Sequence, residues 1–170
     1  AVCTPSRGCM FTGRFPHGHG AYRNNIELNR DEVTLALALK RQGYDTGYSG
    51  KWHLDGPPRP GFMKPERSMG FDECRYMFNR GHWKQLELTD DGPRVKARSN
   101  GNPNYSVEGA DEKSFTTDFL ADRAIEFITN HHDKPFCYMV SLPDPHGPDT
   151  VRPPYDTMFA NQQYQTPRTY

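Results

Sequence analysis

Two stretches of this 170-residue chain repeat one order of events, and that order limits the fold more than any other feature. DEVTLALALKRQ at 31–42 predicts a helix. Asp31 suits its N-cap, Val33, Leu35, Leu37 and Leu39 supply apolar bulk, Lys40 and Arg41 suit the last turn, and Gly43 stops it. YDTGYSGKW follows at 44–52 as a strand that breaks into a loop at GKWHLDGPP. The second unit is TTDFLADRAIEFITNHH at 116–132, with Phe119, Leu120, Ala124, Ile125, Phe127 and Ile128 at helical spacing. Thr116 or Thr117 suits its cap, and His131 and His132 suit the negative pole at its end. PFCYMVSL at 135–142 is then a compact apolar strand that ends in PDPHGP. Helix, strand and loop, twice over, is the pattern of an α/β protein, a mixed sheet flanked by helices with long loops. In open α/β sheets, ligands gather beyond the carboxyl ends of the strands. Those ends lead here into GKWH at 50–53 and PHGP at 145–148, so Lys51, His53 and His146 are expected on one face.

The rest of the chain is less regular. CTPSRGCMFTGR at 3–14 suits a short helix, with Pro5 in its first turn and Gly13 at its end. RFPHGHGAYRNN reads as a loop, and its His17-x-His19 pair, without acidic or cysteine partners nearby, reads as structural rather than metal-binding. From Pro57 to about Lys113 the chain is mostly loop-like, with MGFDECRYMF at 69–78 as a strand or edge segment and turns at DDGP (90–93) and NGNPN (100–104). The polar excursion 79–111 carries Arg80, His82, Trp83 and Lys84, with Trp83 and Tyr105 expected at the surface. It reads either as a substrate-facing insertion or as a solvated loop. Asn104-Tyr105-Ser106 matches an N-glycosylation sequon.

Composition removes several classes of function. Twenty-one basic residues balance 21 acidic ones, a net charge of +0, which gives no electrostatic case for a nucleic-acid partner. No apolar run approaches the roughly 20 residues that cross a bilayer. Four cysteines, Cys3, Cys9, Cys74 and Cys137, lack the spacing of a zinc site or a disulfide scaffold. Only 34% of residues are hydrophobic, with 15 Gly and 15 Pro, which is sparse for a core. No lead-in strand precedes Cys3. The expectation is therefore that residues 1–170 are a fragment of a larger protein.

The residues able to do chemistry are few. A cysteine directly before Thr-Pro-Ser-Arg could be a nucleophile, a metal ligand, half of a disulfide or the substrate of a modification. Arg7 lies four residues on, one helical turn along the same side, where a cation can steady an oxyanion. Lys51 and His53 flank Trp52, so in an extended segment they point the same way, while Trp52 suits packing. Cys9 suits packing rather than reaction.

CTPSRGCMFTGR resembles the CxPSR…TGR signature of the formylglycine-dependent (type I) sulfatases of the alkaline phosphatase superfamily. GYDTGYSGKWHL is similar to that family's second signature, and SLPDPHGP to its later strand end with a histidine in a PHxP context. With the TLALALKRQGY helix, MGFDE and DKPFCYMVSL, these motifs arrive in family order over most of residues 1–148. The resemblance implies an alkaline-phosphatase-like fold and hydrolysis of sulfate esters, with a sulfated carbohydrate as substrate. It implies that Cys3 is converted by a formylglycine-generating maturation enzyme to an aldehyde, hydrated as a gem-diol. One diol oxygen, bound to a divalent metal (calcium, with magnesium as the alternative), attacks sulfur. Loss of a proton from the second hydroxyl then expels sulfate and restores the aldehyde. In the same scheme Arg7 holds the formylglycine oxygens, Lys51 and His53 grip the sulfate and the diol, and His146 serves the leaving oxygen. Cys3 is the metal-side residue of this chain. The other ligands, an upstream acidic pair and a downstream Asp-Asn pair, are expected outside these residues, since Asp144 and Asp149 do not match that pattern. A periplasmic or secreted location is the family expectation. The alternatives are a phosphonate or phosphodiester hydrolase of the same superfamily and a non-catalytic binder of sulfated glycans.

Overall fold

The computed structural model describes residues 2–57, 61–96, 100–101 and 105–169. Its centre is β1, Asp45–Lys51, which runs parallel to β2, Glu73–Phe78, on one side and to β5, Phe136–Ser141, on the other. Leu86–Thr89 (β3) and Gly92–Val95 (β4) form a separate antiparallel ribbon, with the expected turn at Asp90-Asp91. Antiparallel pairing between named strands is confined to that ribbon, among the described residues. No helix there is long and apolar enough to cross a membrane. Asn104 of the sequon, with residues 102–104 of the expected NGNPN turn, lies outside the described residues.

Helices cover both faces of the sheet, and β1 shows why. The sequence DTGYSGK is not apolar, yet six of its seven residues are buried, as a central strand requires. Tyr48 points to one side, where it meets Phe11 of α1 (Cys3–Thr12), Trp52 and Phe71 at ring-centroid distances of 5.9, 5.7 and 5.0 Å. Trp52 is fully buried there, as expected of a packing residue. Ser49 and Gly47 point to the other side, against α4 (Thr116–His131). A Cβ on Gly47 would lie 2.5 Å from the Tyr138 ring and 2.7 Å from that of Phe127, so glycine allows the helix to lie close on the strand.

Several sequence expectations shift at the helix ends. α1 ends at Gly13 in the left-handed region (φ 67), as anticipated. A one-turn helix, α2 (Pro16–His19), occupies part of the expected loop. α3 is shorter than predicted, Leu35–Lys40, and Thr34 rather than Asp31 caps it, its Oγ1 accepting the Leu37 N–H at 3.2 Å. Thr34 wins because it is buried and its hydroxyl also donates to the Met69 carbonyl, whereas Asp31 is exposed. Ala36 therefore faces the core, and Val33 and Leu35 lie at the surface. Neither Thr116 nor Thr117 caps α4. Phe115 holds the N-cap position, Thr116 donates to the Trp83 carbonyl at 2.7 Å and Thr117 to Asp144. Phe119, Leu120, Ala124 and Phe127 are buried as the spacing predicts, while Ile125 and Ile128 are exposed. At its end, ring nitrogens of His131 and His132 meet the carbonyls of Phe127 and Thr129.

Gly47→Ala should destabilise the intact protein by about 1–3 kcal/mol, because two packed aromatic rings must move for one methyl group. The midpoint of urea unfolding reads this, and a midpoint equal to that of the unsubstituted protein would remove the close approach as the reason for glycine.

Candidate active site

The parallel register sends all three strand ends to one edge of the sheet. Gly50 of β1 pairs with Ser141, and Lys51 with Phe78, so the chain leaves the sheet at 51–53, 78–82 and 141–146 side by side. α1 is fastened across them. Arg7 Nη1 donates to the Lys51 carbonyl at 2.6 Å, to Ser141 Oγ at 2.9 Å and to the Tyr48 hydroxyl at 3.3 Å. Tyr48 donates to the same Lys51 carbonyl at 2.5 Å. Burial pushes the Tyr48 phenol up, so it stays a neutral donor despite the guanidinium beside it. Thr4, fully buried, donates from Oγ1 to the His53 carbonyl at 3.0 Å, and its N–H donates to Asn24 Oδ1 at 2.9 Å. Cys3, the first residue of α1, is half-buried and shares a shallow surface hollow with Val2, Ser6, Arg7 and Met10.

The other expected residues gather at the same edge. Lys51 is only 3% exposed, and its ammonium lies 2.8 Å from Nε2 of His82. Burial pulls its pKa down, the neighbouring Cys3 sulfur works the other way, and Arg7 and Arg80 add to the depression. His53 is 8% exposed with φ 60, a left-handed backbone uncommon for a side chain of this size. Both of its ring nitrogens are buried with no hydrogen-bond partner among the described residues. Burial, then the charges of Lys51, Arg7 and Arg80, bring its pKa down to about 4. His146 is exposed, beyond β5. Its Nδ1 lies 3.1 Å from the Gly147 carbonyl, which accepts only, so that nitrogen carries the proton. Its ring stacks on that of His82 with centroids 3.5 Å apart and planes 10° from parallel.

His82 joins this edge although the sequence marks it only as one of four notable residues of the excursion, beside Arg80, Trp83 and Lys84. It was visible in principle, four residues beyond the end of MGFDECRYMF, once that segment is taken as a third parallel strand. Its neighbours in the excursion are structural. Trp83 is 2% exposed, against the expectation, and packs on Phe78 at 5.2 Å; it is too large and apolar to remain outside. Tyr105 is exposed. Lys84 is buried and paired with Asp144 of the His146 loop. The GKWHL loop is braced from below by Arg67, which meets Asp55 at 2.6 Å and donates to the Leu28 and Leu54 carbonyls.

His17 and His19 do not form a site. His19 is buried, with Nδ1 accepting the Ala21 N–H and Nε2 3.7 Å from Cys9 Sγ, while His17 stacks on Phe15. All four cysteines are free. Among the described residues no three His, Cys, Asp or Glu side chains converge to hold a metal ion, so these residues alone do not build a cation site. What they do build is an edge rich in positive charge, Arg7, Lys51 and Arg80, around an uncharged, unpartnered imidazole. That arrangement fits an oxyanion.

Because the His53 ring protonates near 4 in the folded protein and near 6.5 when unfolded, the folded state loses stability as pH falls across that window. Ring NMR of His53 should show a midpoint near 4. Lys51→Met should move it upward, since one repelling charge is gone. A midpoint near 6.5 in the unsubstituted protein would contradict the burial and charge assigned to it.

Comparison with known proteins shows the family. The sulfatase family model matches residues 1–170. An ulvan-active sulfatase of Formosa agariphila is 32% identical over 162 residues, 94% of this chain and 29% of that protein. The crystal structure of the putative sulfatase yidJ from Bacteroides fragilis superimposes with a TM-score of 0.70 at 26% identity, covering 95% of this chain and 38% of that one. The structure of BT4656 in complex with its substrate D-glucosamine-2-N,6-O-disulfate gives 0.67 at 27%, over 99% of this chain and 30% of that one. The chain thus spans about a third or less of the length of the curated relatives it matches. Its α/β architecture is the alkaline-phosphatase-like fold of those neighbours, and the chain belongs to the sulfatase family.

Proposed function

We propose that the protein carrying this chain hydrolyses sulfate esters of a carbohydrate, using a formylglycine made from Cys3. The observation that supports this most is the meeting of Cys3 and Arg7 on α1 with the ends of three parallel strands, around a buried His53 whose two nitrogens have no partner among the described residues. Sulfatases of this family use formylglycine and a divalent metal. Calcium, with magnesium as the alternative, is the metal this reading carries, and Cys3 is the residue of this chain on its side. The hydrated aldehyde supplies an oxygen nucleophile for sulfur.

This chain's own residues do the rest. The positive pole of the ten-residue helix α1 favours negative charge at position 3. Arg7, bound to two strand ends through Nη1, fixes that pole against Lys51 and adds charge of the right sign. Lys51, buried and held by His82, offers a point charge to one sulfate oxygen. His53, neutral, has one donor and one acceptor nitrogen for the diol and the sulfate. His146 spends Nδ1–H on the Gly147 carbonyl, so Nε2 is the nitrogen that, in the imidazolium form, hands a proton to the departing alcohol. Sulfated carbohydrate as the substrate class is supported by the glucosamine disulfate complex of BT4656 and by the ulvan-active relative.

The test is production of the intact protein with a formylglycine-generating enzyme, followed by mass spectrometry of the Cys3 peptide and assays on an aryl sulfate and on glucosamine 6-sulfate. We expect the aldehyde at Cys3, turnover of sulfate esters, and a loss of about 10³-fold or more in Cys3→Ala. An unmodified thiol with no turnover would overturn the proposal. Faster turnover of a phosphodiester than of the sulfates would replace it with the phosphodiesterase reading.

A further inference from the structure

The end of β2 brings a third imidazole to the site, and its two contacts both fall on residues of the proposed reaction. Nε2 of His82 lies 2.8 Å from Lys51 Nζ, and its ring lies flat on that of His146 at 3.5 Å. An ammonium has donors only, so Nε2 accepts, and a neutral His82 must then carry its proton on Nδ1. Resting on the sulfatase reading above, we infer that His82 is a positioning residue that aims the Lys51 ammonium by accepting one of its hydrogens and holds the His146 ring by stacking.

The surroundings hold His82 in place from both ends. Phe78, four residues before it, ends β2 in register with Lys51, and Trp83, directly after it, is locked against Phe78. Lys84 then pairs with Asp144, two residues before His146, so the segment grips the His146 loop at two points, one ionic and one aromatic. Its half-burial and the charge of Lys51 bring the His82 pKa down to about 4, which keeps the ring an acceptor at neutral pH. A neutral ring is also the better face for a charged His146, since imidazolium on imidazole is attractive where two imidazoliums repel. Without His82, a buried lysine loses its acceptor and an exposed histidine on a loop loses the surface that orients it.

The two contacts separate by substitution in the intact, formylglycine-bearing protein. His82→Phe keeps a flat ring under His146 but cannot accept from Lys51. His82→Gln keeps an acceptor but no stacking face. Measured as kcat/KM over aryl sulfates of rising leaving-group pKa, His82→Phe should lose about tenfold or more, evenly across the series. His82→Gln should lose little with the best leaving group and progressively more, to about tenfold or beyond, with the poorest, where proton delivery by His146 matters most. Ring ¹⁵N spectra of the unsubstituted protein should show His82 protonated on Nδ1, and Lys51→Met should release that tautomer preference. Both variants within threefold of the unsubstituted enzyme across the series, or a ring protonated on Nε2, would overturn the inference. Absence of sulfate turnover in the unsubstituted protein would instead count against the functional reading, and the tautomer would still decide the Lys51 contact.

Discussion

β1 lies between two parallel partners, and from that one constraint the site follows. Parallel neighbours begin at one edge and end at the other, so residues just past three strands share an edge without any of them being close in sequence. Lys51, His82 and His146 are separated by 31 and 64 residues, yet Lys51 is the last residue of β1 and the two histidines sit a few positions beyond β2 and β5. Antiparallel pairing would have sent one of the three to the far edge. The Arg7 contacts with Lys51 and Ser141 then add α1, and with it Cys3, to the same edge. A shift of β5 by one residue would separate the Ser141 hydroxyl from the Lys51 carbonyl, and the guanidinium could no longer reach both. The strand register and the placement of the cysteine are therefore one fact, not two.

Much of this arrangement is legible in the sequence, and what is not has physical causes. Cys3, Arg7, Lys51, His53 and His146 are readable as candidates because they lie on a short helix or near strand ends marked by Gly or Pro, and because their motifs arrive in family order. The cap of α3 escapes the sequence because Asp31 has the higher intrinsic preference for the N-cap, and a tertiary partner of Thr34, the Met69 carbonyl 35 residues away, overrides it. Burial of β1 was hidden because a central strand can be built from Thr, Gly and Ser when its neighbours supply the apolar surface. His82 was hidden by its setting. In a polar stretch with Arg80 and Lys84 beside it, nothing local distinguishes the residue that reaches the site from those that brace it.

How buried polar groups are satisfied makes that distinction. Lys84 has Asp144, Arg67 has Asp55 and two carbonyls, Thr4 has the His53 carbonyl, and His19 has the Ala21 N–H and Cys9. Each is paired within the protein, as structural polar burial demands. Trp52, Asn79 and Trp83 each keep one unpartnered buried nitrogen, on side chains whose bulk is packed. His53 is different, because it alone of these side chains has two such nitrogens without a partner among the described residues, although its backbone is held in an uncommon conformation by Thr4. Leaving a whole imidazole unpaired in a buried place costs about 1–3 kcal/mol per group, and holding a left-handed backbone adds to that. Nothing in the packing among the described residues returns this energy.

An anionic ligand would return it. A sulfate next to His53 would satisfy the ring, and its charge would relieve the repulsion among Lys51, Arg7 and Arg80 that adds to burial in lowering the pKa values of Lys51 and His53. The two penalties are therefore removed together, by one ligand at one place. That coupling also explains why the bracing contacts, Thr4 to the His53 carbonyl and Arg7 to the strand ends, run through the backbone of the site residues. The backbone is held by the fold, and in the proposed reading the Lys51 and His53 side chains are the groups that meet the substrate.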